Sequence, residues 1–355
     1  MKAAVLYEHN QPLVIEEIDI DEPGPGEVMV RTVATGVCRS DQHRIEGRTP
    51  TELPAVLGHE AAGIVERVGE GVAYVRPGNH VVMGFIRFCG ACRYCQTGRP
   101  FLCTQGRKPA QHLRRGGQRL NTFGVSSFAE RMLVPESGVV KVREDAPLDK
   151  LSIVGCAVAT GVGAVLNTAG VEAGSSVAVI GLGGVGLNVV QGAALAAAQP
   201  IIAIDVLDHK LQMALQFGAT HVVDASRQDP VEAVRALTGG GADYAFEVVG
   251  SPEAVSQAFD MVAAGGEAVM VGVSPFGTKA SIDTRDLHLM AKVLRGCTYG
   301  SVRQRVDIPR FVDLYMAGRL KLDELITRSY PLERINEAFA AMKAGEVARS
   351  IVTFD

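Results

Sequence analysis

Ser176-Val177-Ala178-Val179-Ile180 runs straight into Gly181-Leu182-Gly183-Gly184-Val185-Gly186. The first five residues form a short, β-branched, apolar run that reads as a buried strand. The next six match G-x-G-x-x-G. Residues 187–198, rich in Ala, Leu and Val, read as a helix, and Ile201-Ile202-Ala203-Ile204-Asp205 as a second buried strand. Strand, glycine turn, helix and strand then end on an acid 24 residues after the first glycine. In that setting the glycines are a dinucleotide-binding fingerprint, since they let backbone N–H groups and a helix N-terminus approach a pyrophosphate. Asp205 would accept hydrogen bonds from both adenosine ribose hydroxyls and repel a 2′-phosphate, which favours NAD over NADP. The plainer readings are a turn in a generic α/β domain, with Asp205 as a helix N-cap. Lys210 could lie along the ribose or be a solvated helix lysine.

Working outward, α/β alternation continues. Residues 209–217, 230–237 and 252–263 read as helices, and 220–223, 242–249 and 267–273 as strands. This predicts a doubly wound parallel sheet, a Rossmann domain, over residues 157–298. The first 156 residues differ: short Val-rich strands and Pro-Gly turns, as at Pro23-Gly24-Pro25-Gly26 and Pro77-Gly78, predict a mainly β domain. Near the C-terminus, residues 316–318 and 332–345 read as helical and 350–354 as a closing strand.

At 355 residues, with 47% hydrophobic and 21% charged, the chain has the makings of two globular domains rather than a disordered segment. A net charge of −4 excludes a polycation built for nucleic acid. The start turns polar within eight residues, too soon for a signal core. The most apolar stretch, 177–198, is broken by Gly181, Gly183, Gly184 and Gly186 and reads as strand, turn and helix rather than a membrane span. A soluble, cytoplasmic protein is expected.

Four of the seven cysteines, Cys89, Cys92, Cys95 and Cys103, lie within fifteen residues. Short loops with Gly90 and Gly98 would let four thiolates converge on one tetrahedral ion, and four sulfurs with no open position suit a structural Zn²⁺. An iron–sulfur cluster shares C-x2-C-x2-C, but that run continues C-x3-C-P. Buried free thiols are the third reading. Cys38, Cys156 and Cys297 are individually more often core residues than ligands. However, Cys38 precedes Arg39-Ser40-Asp41-Gln42-His43, Gly58-His59-Glu60 follows, and Cys156 sits in Gly155-Cys156-Ala157. Two Cys and a His with one position open would make a catalytic zinc.

A four-cysteine lobe, Cys-Arg-Ser-Asp, Gly-His-Glu and a later Rossmann fingerprint, in that order, resemble the zinc-dependent medium-chain alcohol dehydrogenases from end to end. The resemblance implies a GroES-like catalytic domain formed by residues 1–156 and 299–355, with the NAD-binding Rossmann domain, 157–298, inserted between. It implies two Zn²⁺ per subunit: a catalytic one held by Cys38, His59 and Cys156, and a structural one held by Cys89, Cys92, Cys95 and Cys103. Glu60 would be the nearby carboxylate that exchanges ligation, and Asp41 the acid orienting His59. Ser40 would take the substrate proton and His43 release it. Arg39 and Arg349 would hold the NAD pyrophosphate. Thr160, Val185, Val248, Val271 and Val273 would contact the cofactor, and Phe85 would line the substrate pocket. The implied reaction is reversible hydride transfer from a primary alcohol, aromatic or medium-chain, to NAD. The length of the 103–128 stretch leans toward a homodimer over a homotetramer.

From Phe85 to Ala129 there are eight Lys/Arg and no acid. The plain reading is a solvated loop that offsets the thiolate charge. The sharper one is that Arg107, Lys108, Arg114, Arg115 or Arg119 meets an anionic substrate tail. The corresponding alternative activity is a thiol-dependent formaldehyde dehydrogenase acting on an S-hydroxymethyl adduct. A non-catalytic zinc- and NAD-binding scaffold is the alternative of another class.

Overall fold

The computed structural model describes residues 1–107 and 112–354, without the Arg107 side chain. Lys108, one of the basic residues counted above, lies outside this range. The chain divides into two compact units: Met1–Cys156 with Arg303–Asp355, and Ala157–Val302.

In the second unit, Val177–Ile180 is buried throughout and pairs in parallel with Ile201–Asp205 on one side and Ala242–Glu247 on the other. The strand order is His221–Asp224, Ile201–Asp205, Val177–Ile180, Ala242–Glu247, Val262–Met270, Val293–Gly296. This is the 3-2-1-4-5-6 order of a doubly wound dinucleotide fold. Burial on both faces explains why these strands read as continuous apolar runs. Ala178, Ile202, Ile204, Val234, Ala245 and Phe259 form the core of one face.

The element bounds in this unit depart most from the sequence reading at one junction. The helix Pro252–Met261 stops earlier than expected, and the strand Val262–Met270 begins at once. Gly265, at φ +75°, let a strand continue where glycines had been read as a connection.

In the first unit, Glu27–Gly36 is the central strand. It pairs antiparallel with Ala61–Val68, Arg131–Pro135 and Arg349–Thr353. The C-terminal segment therefore supplies a strand to the N-terminal sheet, and it also contributes the helix Gln304–Met316. Only the last residue of that helix falls within the stretch expected to be helical. Pro309 and a scatter of charged residues had hidden the rest.

The helical stretch Leu148–Ala169 is long and apolar enough to cross a membrane, but 78% of its most apolar window is buried in protein, so it is a core helix. It widens into π turns at Val154–Val158 and Ala164–Ala169. Such turns recur at functional sites, and Cys156 lies in the first.

Candidate active site

The catalytic unit brings Cys38, His59, Glu60 and Cys156 together, with one ligand atom from each within 4.8 Å of the others. Cys38 caps the helix Arg39–Ile45, and its carbonyl accepts from Asp41 N at 3.1 Å and Gln42 N at 3.2 Å. That helical start turns Asp41 inward. Asp41 Oδ1 accepts from Gly58 N at 3.1 Å, and Oδ2 lies 3.1 Å from His59 Nδ1. A carboxylate on Nδ1 fixes the ring and leaves Nε2 as the ligand nitrogen.

Glu60 is anchored through its carbonyl, which accepts from Gly36 N at 2.8 Å and Thr35 Oγ1 at 2.7 Å. A Cβ at Gly36 would collide with the Glu60 carboxylate. One carboxylate oxygen pairs with Arg349, while the other, Oε2, is buried with no hydrogen-bond partner among the described residues. Two thiols, an oriented imidazole and an orphaned carboxylate oxygen make a donor set that fits zinc.

The four groups shift one another's proton affinities, and the Cys38 thiol beside it, together with burial, pushes the Cys156 thiol up. The Cys156 thiol, together with His59 and Arg349, outweighs burial and pulls the Cys38 thiol well below its usual range. Burial pulls His59 down, but Asp41 and Cys38 override it and raise it well above the usual imidazole value. Burial pushes Glu60 up to about 7 despite Arg349.

The second cluster is Cys89, Cys92, Cys95 and Cys103. Gly90 and Gly98 adopt φ +74° and +73°, the turns that thiol convergence requires. Cys92 Sγ lies 3.5 Å from Cys95 Sγ and 3.8 Å from Cys103 Sγ. A tetrahedral ion with bonds of about 2.3 Å sets its sulfurs about 3.8 Å apart, so the lobe is shaped for zinc. Cys89 Sγ accepts from Cys92 N at 3.2 Å, and Cys103 Sγ from Cys89 N at 3.4 Å. Burial opposes ionisation of Cys103, but N–H donors including those of Gly106 and Cys89 bring it to about 6. Cys297 belongs to neither group. It is a half-buried thiol beside Thr168 Oγ1 at 3.3 Å.

Of the relay candidates, Ser40 is exposed, with its Oγ 3.8 Å from Cys38 Sγ. His43 is half-buried, and burial, Arg39 and Arg48 lower its pKa. Arg39 is exposed. Arg349 is buried, pairs with Glu60 and donates to Val37 O at 3.3 Å. A buried carboxylate needs that cation.

Phe85 lies edge-on to His59 at 5.3 Å between ring centroids. The structure adds Phe123, which sequence reasoning missed. It is edge-on to His59 at 5.6 Å and 6.5 Å from Phe85. No motif or spacing in the sequence marked it.

In the nucleotide-binding unit the three motif glycines have separate roles. Gly181 turns at φ +93°, Gly183 has nothing within 4 Å of where a Cβ would point, and a Cβ on Gly186 would collide with Gly181 O. These are the tight turn, the open approach for a pyrophosphate and the close helix–strand contact of a dinucleotide site. Asp205 Oδ2 accepts from Leu182 N at 2.8 Å, and Lys210 Nζ stands 3.7 Å from it. Val271 is buried, Thr160, Val185 and Val248 are half-buried, and Val273 is 73% exposed. Glu247, also missed, is buried and accepts from Val249 N at 2.6 Å and Gly250 N at 2.5 Å, fixing the turn after its strand.

Arg114 and Arg115, candidates for an anionic substrate tail, are engaged within the unit. Arg114 pairs with Asp21 at 3.2 Å, and Arg115 with Glu16 at 2.8 Å and Tyr7 Oη at 3.1 Å.

Residues 24–144 match the alcohol dehydrogenase GroES-like domain, and residues 184–316 the zinc-binding dehydrogenase family. The chain is 41% identical over 374 residues to an S-(hydroxymethyl)glutathione dehydrogenase of Paracoccus denitrificans, covering 99% of each. A crystal structure of an alcohol dehydrogenase zinc-binding domain protein from Burkholderia ambifaria superposes with TM-score 0.96 at 39% identity, covering 100% of this chain and 98% of that one. Benzyl alcohol dehydrogenase from Acinetobacter calcoaceticus does so with TM-score 0.96 at 35% identity, covering 100% and 99%. With both cysteine groups and the glycine loop in place, the chain belongs to the zinc-dependent medium-chain alcohol dehydrogenases and is an NAD-dependent enzyme of that family.

Proposed function

We propose that the enzyme reversibly oxidises primary alcohols carrying an apolar, aromatic group to their aldehydes. The observation that carries this reading is the pair of phenyl rings, Phe85 and Phe123, set edge-on to the ligand His59. Such a corner offers an aromatic substrate edge-to-face packing and excludes water. When bound, zinc supplies the Lewis acidity that eases loss of the alcohol proton, and NAD supplies the hydride acceptor. Cys38, His59 and Cys156 hold the metal, and Asp41 orients His59. Ser40 takes the proton and His43 delivers it to solvent; with its pKa lowered, His43 is neutral near pH 7 and able to accept. Asp205 selects NAD by receiving the ribose hydroxyls. Arg39 and Arg349 bind the pyrophosphate; Arg349 keeps Nη2 on Glu60, and its Nε has no hydrogen-bond partner among the described residues.

The thiol-adduct reading has the support of the Paracoccus relative's name. Against it, Arg114 and Arg115 are already paired with acids of their own unit. NADH formation from benzyl alcohol, 1-hexanol, and formaldehyde with and without glutathione separates the two. Turnover of benzyl alcohol without thiol supports the aromatic-alcohol reading, and activity only with formaldehyde plus thiol overturns it.

We also infer a homodimer formed by the strand Val293–Gly296. It ends its sheet and exposes Val293 and Leu294, with Leu289 and Met290 nearby in sequence and also exposed. An open, apolar sheet edge is a template for pairing with a second copy. Light scattering reads the mass. We propose a reducing compartment, the cytoplasm, as the setting that keeps the thiols of both metal groups free to ligate.

A further inference from the structure

Phe123 and Gly124 form the backing of the metal ligand His59. Phe123 presents its ring to the imidazole, and a Cβ on Gly124 would overlap His59 and lie 2.9 Å from Gly58 O. Two arginines grip this dipeptide from different elements. Arg44, in the helix that carries Asp41 and His43, sets its guanidinium 3.5 Å from the Phe123 ring centroid. Its Nη1 donates to Pro50 O at 2.8 Å and Thr51 Oγ1 at 3.0 Å, which fixes the stack. Arg87, two residues before Cys89, donates from Nη2 to Gly124 O at 2.6 Å. The Arg87 main chain is itself wedged against the four-cysteine lobe, where a Cβ on Gly106 would collide with Arg87 O. Both arginines are half-buried. Partly burying a cation is costly, and its stacking or hydrogen bonding offsets that cost only where the partner is well placed.

We infer that Arg44 and Arg87 are positioning residues. They clamp Phe123–Gly124 against His59 and so set the aromatic selectivity of the pocket, with Arg87 coupling that wall to the four-cysteine lobe. The selectivity half rests on the aromatic-alcohol reading above; the clamp itself does not.

The test uses the full-length, zinc-loaded chain and the variants Arg44→Met, Arg87→Met and Arg87→Lys, each checked for zinc content. Methionine keeps bulk and removes the charge and donors. Two readouts are taken: amide hydrogen exchange over residues 123–127, and kcat and KM for benzyl alcohol and 1-hexanol. The expected result is exchange about tenfold faster over 123–127 in each Met variant. The benzyl alcohol KM should rise about tenfold, with a smaller change in kcat and for 1-hexanol. Arg87→Lys should restore most of the loss. If one Met variant does not fold, the other reads the same clamp from its opposite side. Unchanged exchange in a folded Met variant overturns the clamp. Faster exchange with an unchanged benzyl-to-hexyl ratio of kcat/KM overturns its role in selectivity. A wild-type enzyme that does not prefer benzyl alcohol overturns the substrate reading and the selectivity half with it, and exchange then decides the clamp by itself.

Discussion

Glu60 and Arg349 form an ion pair almost fully removed from water, with side chains 0% and 6% exposed. The two partners stand 289 residues apart in sequence. Breaking one side strands a charge in the interior. Arg349→Met or Glu60→Gln alone should destabilise the unit by about 3 kcal/mol, whereas the double variant should recover most of that loss. Thermal melts of the two singles and the double check it; additive losses would mean that the residues act independently.

His43 gives a pH dependence with a definite sign. Burial, Arg39 and Arg48 lower its pKa, so the folded state favours the neutral ring. The unfolded chain binds the proton more readily, so this group's contribution to stability falls as pH drops below the ordinary imidazole range. The neutral ring is also the form that accepts the relayed proton. Arg48→Gln removes one of the depressing charges and should move the acid limb of the kcat profile toward higher pH. A limb that stays in place would remove His43 from the relay.

Asp205 both caps the glycine turn, through Leu182 N, and faces the ribose position expected from the fold. Asp205→Asn removes the charge and one of two acceptors, since Oδ2 receives Leu182 N and Oδ1 receives Val206 N at 2.8 Å. The KM for NAD should rise about tenfold, discrimination against NADP should shrink, and Tm should fall. Steady-state kinetics with both nucleotides reads this directly.

The four-cysteine lobe has little apolar packing of its own, with the helix Arg93–Gln96 burying no residue. Cys95→Ser should therefore lower the zinc count from two per chain to one and cost several kcal/mol of stability. Metal analysis paired with a chelator-dependent melt checks it. Retention of both ions would reassign the cluster.

The sequence revealed the nucleotide-binding unit because its information is local. The strand, turn and helix around Gly181 each follow from adjacent residues. It revealed the metal ligands only in combination, since nothing about Cys156 alone separates a ligand from a core thiol. What it hid was brought together by the fold. Phe123 reaches His59 because Phe123 N is bonded to Val56 O at 3.2 Å, which aligns its loop with the one leading to Gly58. Arg114 faces Asp21 because the strand Leu113–Arg115 pairs with Asp19–Ile20, so a segment that reads as uniformly basic is neutralised from a distant strand. The pairing of Arg349 with Glu60 was likewise illegible, because the two residues stand 289 positions apart.

The discontinuity of the catalytic unit has a consequence for biosynthesis. Glu60 leaves the ribosome early, and all of Ala157–Val302 is made before Arg349 appears. Domains fold as they emerge, so the inserted unit can be complete while the catalytic one still lacks a strand of its central sheet and the counter-charge at its centre. The metal centre is thus among the last parts of the molecule to close. A nascent chain stopped short of residue 349 would leave the Glu60 carboxylate without its buried counter-charge.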